Sequence, residues 1–388
     1  ERPVVVRSNG GAQAGHTVTL ADGRRHVFHH IGSGALAGAA THLSRFFVHH
    51  PMVLQAEMDA LAALGGALDI SADPRGRVTT PWDMLINQAV ERVRDGARHG
   101  SCGLGFGETI ERSLEAPFRL TVGDLARPDL RQRLDAIRLT WTPRRLQALG
   151  LARLSAQEAA ILADDAILDV FIDDCRRFLD AITVVADADV AALGPVIFEG
   201  AQGLQLDQAI GAFPHVTRSH TGLVNMAVIA REAGLDSLDA VYVTRAYATR
   251  HGAGPIAHAV DRLEGFDVVD PTNVPNAWQG RMRYAPLDLD ILAGGIAADL
   301  ALTDAGALRL RTGVAVTCLD QARGPIAMID GGVRREASPC ELATLLGARI
   351  DQPVSAQGWG PARAGIHFHQ AADGRAAWTG VSRHARRN

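Results

Sequence analysis

Apolar residues fall along this chain in two rhythms. Short aliphatic runs, Val4-Val5-Val6 and Val196-Ile197-Phe198, read as buried strands, as do Ala240–Arg245 and Val314–Asp320. Spacing of three and four predicts helices over Pro51–Leu68 (Val53, Leu54, Met58, Leu61, Leu64), Val224–Ala233 and Pro339–Leu346. A further helix is predicted over Pro81–Asp95, with Thr80 as its N-cap. Val18–Leu20 and Arg25–His29 flank Ala21-Asp22-Gly23, an Asp-Gly hairpin signal. Residues 121–190 are strongly helical, Leu- and Ala-rich, with Arg/Asp faces that read as solvated surface. Alternating strands and helices predict an α/β fold with a large, mostly parallel central sheet flanked by helices. No repeat, low-complexity tract or linker interrupts the pattern. It reads as one elaborated domain over 1–388 with a helical insertion at about 121–190.

Several predicted strands run into glycine-rich loops, where open α/β sheets place their sites. The loops are Ser8–Thr17, Gly100–Gly107, Glu199–Gly203 and Thr249–Pro255. Glu199-Gly200-Ala201-Gln202-Gly203 after an apolar strand lets backbone pass close to a ligand, although GxxG spacing alone fits an ordinary turn equally well.

Composition narrows the class. The chain has 388 residues, 47% hydrophobic and 21% charged, which describes a globular rather than a disordered protein. A net charge of −4 gives little support to nucleic-acid binding, and Arg383–Arg387 read as a solvated tail. No run approaches the roughly 18 apolar residues of a membrane span. Four scattered cysteines with no C-x-x-C indicate neither a zinc site nor a disulfide framework, and fit a reducing, cytoplasmic setting. His29-His30, His49-His50 and His367-x-His369 lack a coherent third and fourth ligand and read as structural or solvated.

Seven words in order resemble the adenylosuccinate synthetase family, a P-loop NTPase-related fold. Asn9–Val18 resembles its GG-x-N-AGHTV loop, His30–Gly34 its H-x-I-PSG, and Gly100–Gly107 its GTTGRGIG. Phe198–Thr217 is similar to FEGAQG-x-LLD…YPYVT, Arg245–Pro255 to KAYSTRVGAGP, Val316–Asp320 to T-K-L-D, and Gly358–Arg363 to S-x-GP-x-R. The resemblance runs from residue 4 to about 363.

That resemblance implies a homodimeric C–N ligase. It would join aspartate to the 6-position of IMP with GTP and Mg2+, first phosphorylating the purine oxygen and then displacing it with the amine. His16 matches the histidine that donates to that oxygen, Gln202 the glutamine beside it, and Gly15 the glycine whose carbonyl touches magnesium. Gln13, Ser101, Cys102, Leu206 and Thr217 fall at acceptor-binding positions. Asp320, Gly358, Gly360 and Pro361 fall at the guanine nucleotide, with ATP the alternative donor. Arg281 and Arg283 stand in the amino-acid loop as a possible carboxylate fork.

The departures matter as much. The family's asparagine before AGHT is Gln13 here, its second threonine in GTTG is Cys102, and its loop arginine is Leu104. Its partner-subunit arginine falls near Ala116, with Arg112 and Arg119 close by. Each lost charge-assisted phosphate contact costs on the order of 2 kcal/mol, so the acceptor is open between IMP and another compound. Cys318 replaces a lysine beside Asp320, and His258-Ala259 replaces Thr-Glu. The family's GDEGKGK phosphate loop belongs just upstream of Val4–Val6 and is absent from this sequence; the start at Glu1 suggests a missing segment, and a native chain without the loop is not expected to transfer a phosphoryl group. An intact loop separates the ligase from the other reading, an inactive nucleotide-binding homologue.

Overall fold

The structure, a computed structural model, describes residues 1–94, 97–151, 154–273, 275 and 278–369. Asp95 of the second predicted helix, Asn276 and Ala277 of the amino-acid loop and the basic Arg383–Arg387 lie outside the described residues.

The fold is α/β and mainly parallel, as the pattern predicts. Its strands form separate sheets rather than one. Five parallel strands run in the order Thr183–Val184, Ile70–Ala72, Ala40–Leu43, Val4–Arg7, Val196–Glu199. Ser237–Arg245, Arg309–Thr317 and Val354–Gly358 pair in parallel in a second sheet, closed by antiparallel Ile366–Phe368. Tyr247–Arg250, Arg283–Asp288, Ile326–Asp330 and Val333–Ala337 make a mixed third. Val4–Arg7 is central to its sheet and buried throughout, which its aliphatic run requires.

Each half has its own core. Pro51–Ala63, Pro81–Arg94 and the helices after residue 121 enclose Leu43, Phe47, Trp82 and Phe178. Asp165–Ala181 shows the sequence logic: Leu168, Phe171, Ile172, Cys175 and Phe178 share one buried face. A second core gathers Tyr247, Ile296, Val314, Val316 and Leu346 between the other sheets and the helices Leu289–Leu302 and Pro339–Ile350. The helix Val224–Glu232 joins the halves. Ile229 packs with Val4 and Val6, while Ala227 and Ala230 pack with Leu308. No described helix is long and apolar enough to cross a membrane.

Boundaries shift for local reasons. The first long helix stops at Ala63 rather than Leu68, because Gly65 takes a left-handed φ of +74° and turns its amide back to the Ala62 carbonyl. The strand expected over 314–320 is Arg309–Thr317, and Cys318, at φ +62°, ends it ahead of a tight turn over Leu319–Gln321. Thr249 and Arg250 belong to a strand, not a loop. Thr80 does cap: its Oγ1 accepts from the Asp83 amide, and Asp83 accepts from the Thr80 amide.

Candidate functional site

The site lies at the carboxyl ends of Val4–Arg7 and Val196–Glu199. Parallel register sets Arg7 beside Glu199. Two residues on, Asn9 grips the GAQG loop, its Nδ2 donating to the Ala201 carbonyl at 2.7 Å and its Oδ1 accepting from the Ala201 amide at 2.9 Å. This clamp precedes Gln202, which holds a left-handed φ of +66°, unusual for a residue with a Cβ.

His16 opens the hairpin His16–Thr19/Arg25–Phe28, and its Nδ1 hydrogen-bonds Glu199 Oε1. The other carboxylate oxygen accepts from the Ser33 amide at 2.9 Å. Burial alone would push Glu199 up; the His16 hydrogen bond and the Arg7 charge outweigh it and hold the group near 2. Glu199 is therefore an anion, so the proton between them belongs to His16 Nδ1, leaving Nε2 for chemistry. Glu57 braces the next segment, accepting from the amides of His29, His30 and Ile31. The hairpin is also tied across the molecule: Thr17 Oγ1 lies 3.0 Å from Thr272 Oγ1, to which Arg25 donates at 3.0 Å.

Several polar atoms here are buried with no hydrogen-bond partner among the described residues: Arg7 Nε and Nη2, Ser8 Oγ, Gln13 Nε2 and Gln202 Oε1. Orphans cost about 1–3 kcal/mol each, and these five lie at the ends of Val4–Arg7 and Val196–Glu199 or on the loops that follow them, where polar ligand atoms could satisfy them.

The acceptor-side residues gather on three loops. Ser101 Oγ accepts from Asn87 Nδ2 at 2.7 Å, and burial pushes the neighbouring Cys102 thiol up, making it a poor anion ligand. Leu206 ends a tight turn, and its carbonyl accepts from the Thr217 amide at 2.8 Å. Arg283 pairs with Arg250 across neighbouring strands, and its Nη2 donates to the Gly252 (2.6 Å) and Gly254 carbonyls. Arg281 is exposed on the preceding turn. The expected fork is thus not assembled, because Arg283 is spent on the loop it follows. Arg112 is also committed: fully buried, it forks onto Asp83 and donates to the Val78 and Phe118 carbonyls. It is no substitute for the missing phosphate arginine. Arg119 donates to the Ser113 carbonyl.

At the far end Asp320 is exposed in the turn after Cys318, and Gly358, Gly360 and Pro361 follow the neighbouring strand. Gly358 sits tight against its neighbour: a Cβ there would lie 3.3 Å from Thr317 Cα. Gly15 is exposed. Among the described residues no group of three or more His, Cys, Asp or Glu side chains is placed to hold a metal ion. His30 instead faces Glu57, while His49 and His50 lie buried in the first core, each ring held neutral by burial.

Sequence reasoning passed over Glu199, Arg7, Asn9 and Glu57. The signal for Glu199 was in the FEGAQG word, and parallel pairing of its strand with Val4–Arg7 puts all three neighbours together. Glu57 carried none, since a glutamate in a helix usually faces water.

The adenylosuccinate synthetase family profile matches residues 1–284. The adenylosuccinate synthetase of Xanthomonas oryzae pv. oryzae (strain MAFF 311018) is 30% identical over 373 residues, covering 92% of this chain and 78% of that protein. That of Anaeromyxobacter dehalogenans (strain 2CP-1) is 34% identical over 263 residues, 65% of this chain and 58% of the relative. Among solved structures, fully ligated adenylosuccinate synthetase from Plasmodium falciparum matches with a TM-score of 0.68 at 16% identity, covering 95% of this chain and 94% of that one. The cyanophage S-2L succinoaminodeoxyadenylate synthetase matches at 0.54 and 14% identity, covering 96% and 97%. With its strand-end loops, its His16–Glu199 pair and these relatives together, the chain belongs to the adenylosuccinate synthetase family, whose members are C–N ligases driven by a nucleoside triphosphate.

Proposed function

We propose that this protein joins aspartate, or a similar amine, to a phosphoryl-activated purine or purine-like acceptor such as IMP, with GTP as the energy donor. The observation that carries the reading is the His16–Glu199 pair beside orphaned Gln202 Oε1 and Gln13 Nε2. In the first step the acceptor's 6-oxygen takes the γ-phosphoryl group and the nucleoside diphosphate leaves. In the second the amine nitrogen attacks C6, the C–O bond breaks, and inorganic phosphate departs. His16 Nε2 donates a proton at the 6-oxygen, and the Glu199 carboxylate, fixed by Ser33, holds the imidazole on the opposite side. Gln202 orients the oxygen from a strained backbone. No described residue is assigned the role of base at purine N1 or of the lysine in the resembling GDEGKGK loop.

Asp320, exposed beside Gly358, Gly360 and Pro361, is proposed to read the guanine edge. Because the described side chains form no cage for it, Mg2+ is proposed to arrive on the nucleotide's phosphates, with the Gly15 carbonyl as the protein oxygen offered to it. Arg281 is the proposed carboxylate contact for the amine substrate, with Arg283 shaping the loop. A cytoplasmic homodimer acting on small molecules completes the proposal.

A second reading, a ligase with a non-IMP acceptor, is favoured by Cys102 and Leu104 standing where a threonine and an arginine hold phosphate. The test is phosphate release from GTP and from ATP, with aspartate and a panel of IMP, dGMP and non-phosphorylated purines. ATP and dGMP belong in it because the cyanophage enzyme is bound to dGMP, with dATP as an energy donor. Release requiring IMP and aspartate supports the first reading, and release with another acceptor alone supports the second. No release with any pairing, by a protein with an intact phosphate loop, overturns both.

A further inference from the structure

Three loops converge on two histidines. His99 precedes Ser101 and His215 precedes Thr217, each by two residues. Their rings stand edge to face with centroids 5.5 Å apart. His215 Nδ1 donates to the His99 carbonyl at 3.5 Å, and Arg94 Nη1 donates to His99 Nδ1 at 2.9 Å. Neither Nε2 carries a hydrogen bond among the described residues. Arg250, at the end of the strand Tyr247–Arg250 that leads into the third loop, donates to the His215 carbonyl at 2.5 Å, and its buried Nε has no partner among those residues. The convergence is built in: a Cβ on Gly100 would lie 2.7 Å from Gly252 Cα and the Ala253 amide nitrogen.

The charges around the pair are one-sided. Arg94 and Arg250 bond the pair directly, Arg98 and Arg283 bond the adjoining Glu91 and Gly252 carbonyls, and the Glu91 carboxylate is occupied by Arg94 and by the Gly100 and Ser101 amides. Cys102 and Leu104 have removed a hydroxyl and a guanidinium from this corner. His215 stands at a tyrosine of the resembling YPYVT word. A cation-capable side chain has appeared where phosphate contacts were lost.

Resting on the ligase reading above, we propose that His99 and His215, backed by Arg250, form the anion-binding element of the acceptor site and take a phosphate monoester. Burial and the Arg94 charge push His99 down from its ordinary value, favouring its neutral form in the unliganded site. A dianionic phosphate reverses that balance and draws a proton in as it binds. Affinity therefore rises as pH falls, opposite to a site made of arginine and hydroxyls alone.

The test is calorimetric titration of the 388-residue chain with IMP against inosine and dGMP against deoxyguanosine, at pH 6, 7 and 8. Two buffers of different ionisation enthalpy count protons. The expected result is a tenfold or greater preference for the phosphorylated partner at pH 6, proton uptake on binding, and a preference that shrinks by pH 8. His215→Tyr removes the pH dependence and weakens nucleotide binding about tenfold at pH 6, leaving nucleoside binding unchanged; His99→Gln serves as an independent second variant. Equal binding of nucleotide and nucleoside, no binding of either, or an unchanged pH profile in both variants overturns the proposal. So does a His215→Tyr defect confined to aspartate, which would move the pair to the amino-acid site. Turnover is not needed, so pH-dependent nucleotide binding without phosphate release would fault the ligase reading alone.

Discussion

Glu199→Gln tests the heart of the site at almost no steric cost. The carboxylate accepts from His16 Nδ1 on one oxygen and from the Ser33 amide on the other. An amide offers one acceptor oxygen and one NH2, so one of the two donors must face another donor. Hydrogen bonds to a charged group contribute about 1.5–3 kcal/mol, and the anion opposing the imidazolium disappears with them. If His16 must carry positive charge in the transition state, a loss of about 2–3 kcal/mol becomes a fall of roughly 30- to 150-fold in kcat. The acceptor's KM should move little, because Glu199 lies behind His16. Aspartate-dependent phosphate release measures the rate, and 15N NMR of the imidazole reports whether Nδ1 keeps its proton. A fall below threefold, with the Nδ1–H signal intact, would refute the assignment of Glu199 as the group that orients the proton donor.

Three further outcomes follow from the same geometry. Gln202→Gly relieves the left-handed backbone and removes an orphaned buried oxygen; the ligand-free protein should gain about 1 kcal/mol in urea unfolding while phosphate release falls at least tenfold. A variant both less stable and fully active would contradict this. Arg112→Met leaves Asp83 buried and unpaired, which should cost about 3–5 kcal/mol; a loss under about 1 kcal/mol in the same assay would show the pair is dispensable. Stability should also fall on acidification from pH 6.5, because the unfolded chain protonates His49 and His50 near 6.5 while burial holds the folded rings at about 3 and about 4. Two such groups give a slope of about 3 kcal/mol per pH unit. Below about 4.5 Glu57 and Glu199 add to it, since both are held near 2 when folded and their stabilisation disappears as pH drops through that range. Urea midpoints at pH 7.5, 6.5 and 5.5 would decide; a flat profile refutes it.

Much of this was legible because the sequence repeats local physics. Aliphatic runs gave the parallel strands, the Asp-Gly pair gave the hairpin, and glycine loops after strands gave the site's address. What stayed hidden depends on who sits beside whom. Glu199 becomes a partner of His16 only once Val196–Glu199 pairs with Val4–Arg7, a contact spanning 183 residues of sequence. Arg112 looks like a spare surface cation until Asp83 meets it in the core. Arg283 looked available for substrate, but its strand register aims it at the Gly252–Gly254 carbonyls. Division of the parallel strands into two groups was hidden too, because strand spacing says nothing about which edges pair.

That division bears on how the molecule opens. Residues proposed for the site are shared between two separately cored bodies, with His16 and Glu199 on one and Arg250 and Asp320 on the other. Described links across the seam include the Val224–Glu232 helix, the contacts of Thr17 and Arg25 with Thr272, the Arg250 bond to the His215 carbonyl, the Asp299 carboxylate at the Leu223 amide and the Gly100–Gly252 backbone approach. A ligand that touches both sides adds to these ties, so its binding is expected to slow amide exchange on both bodies together.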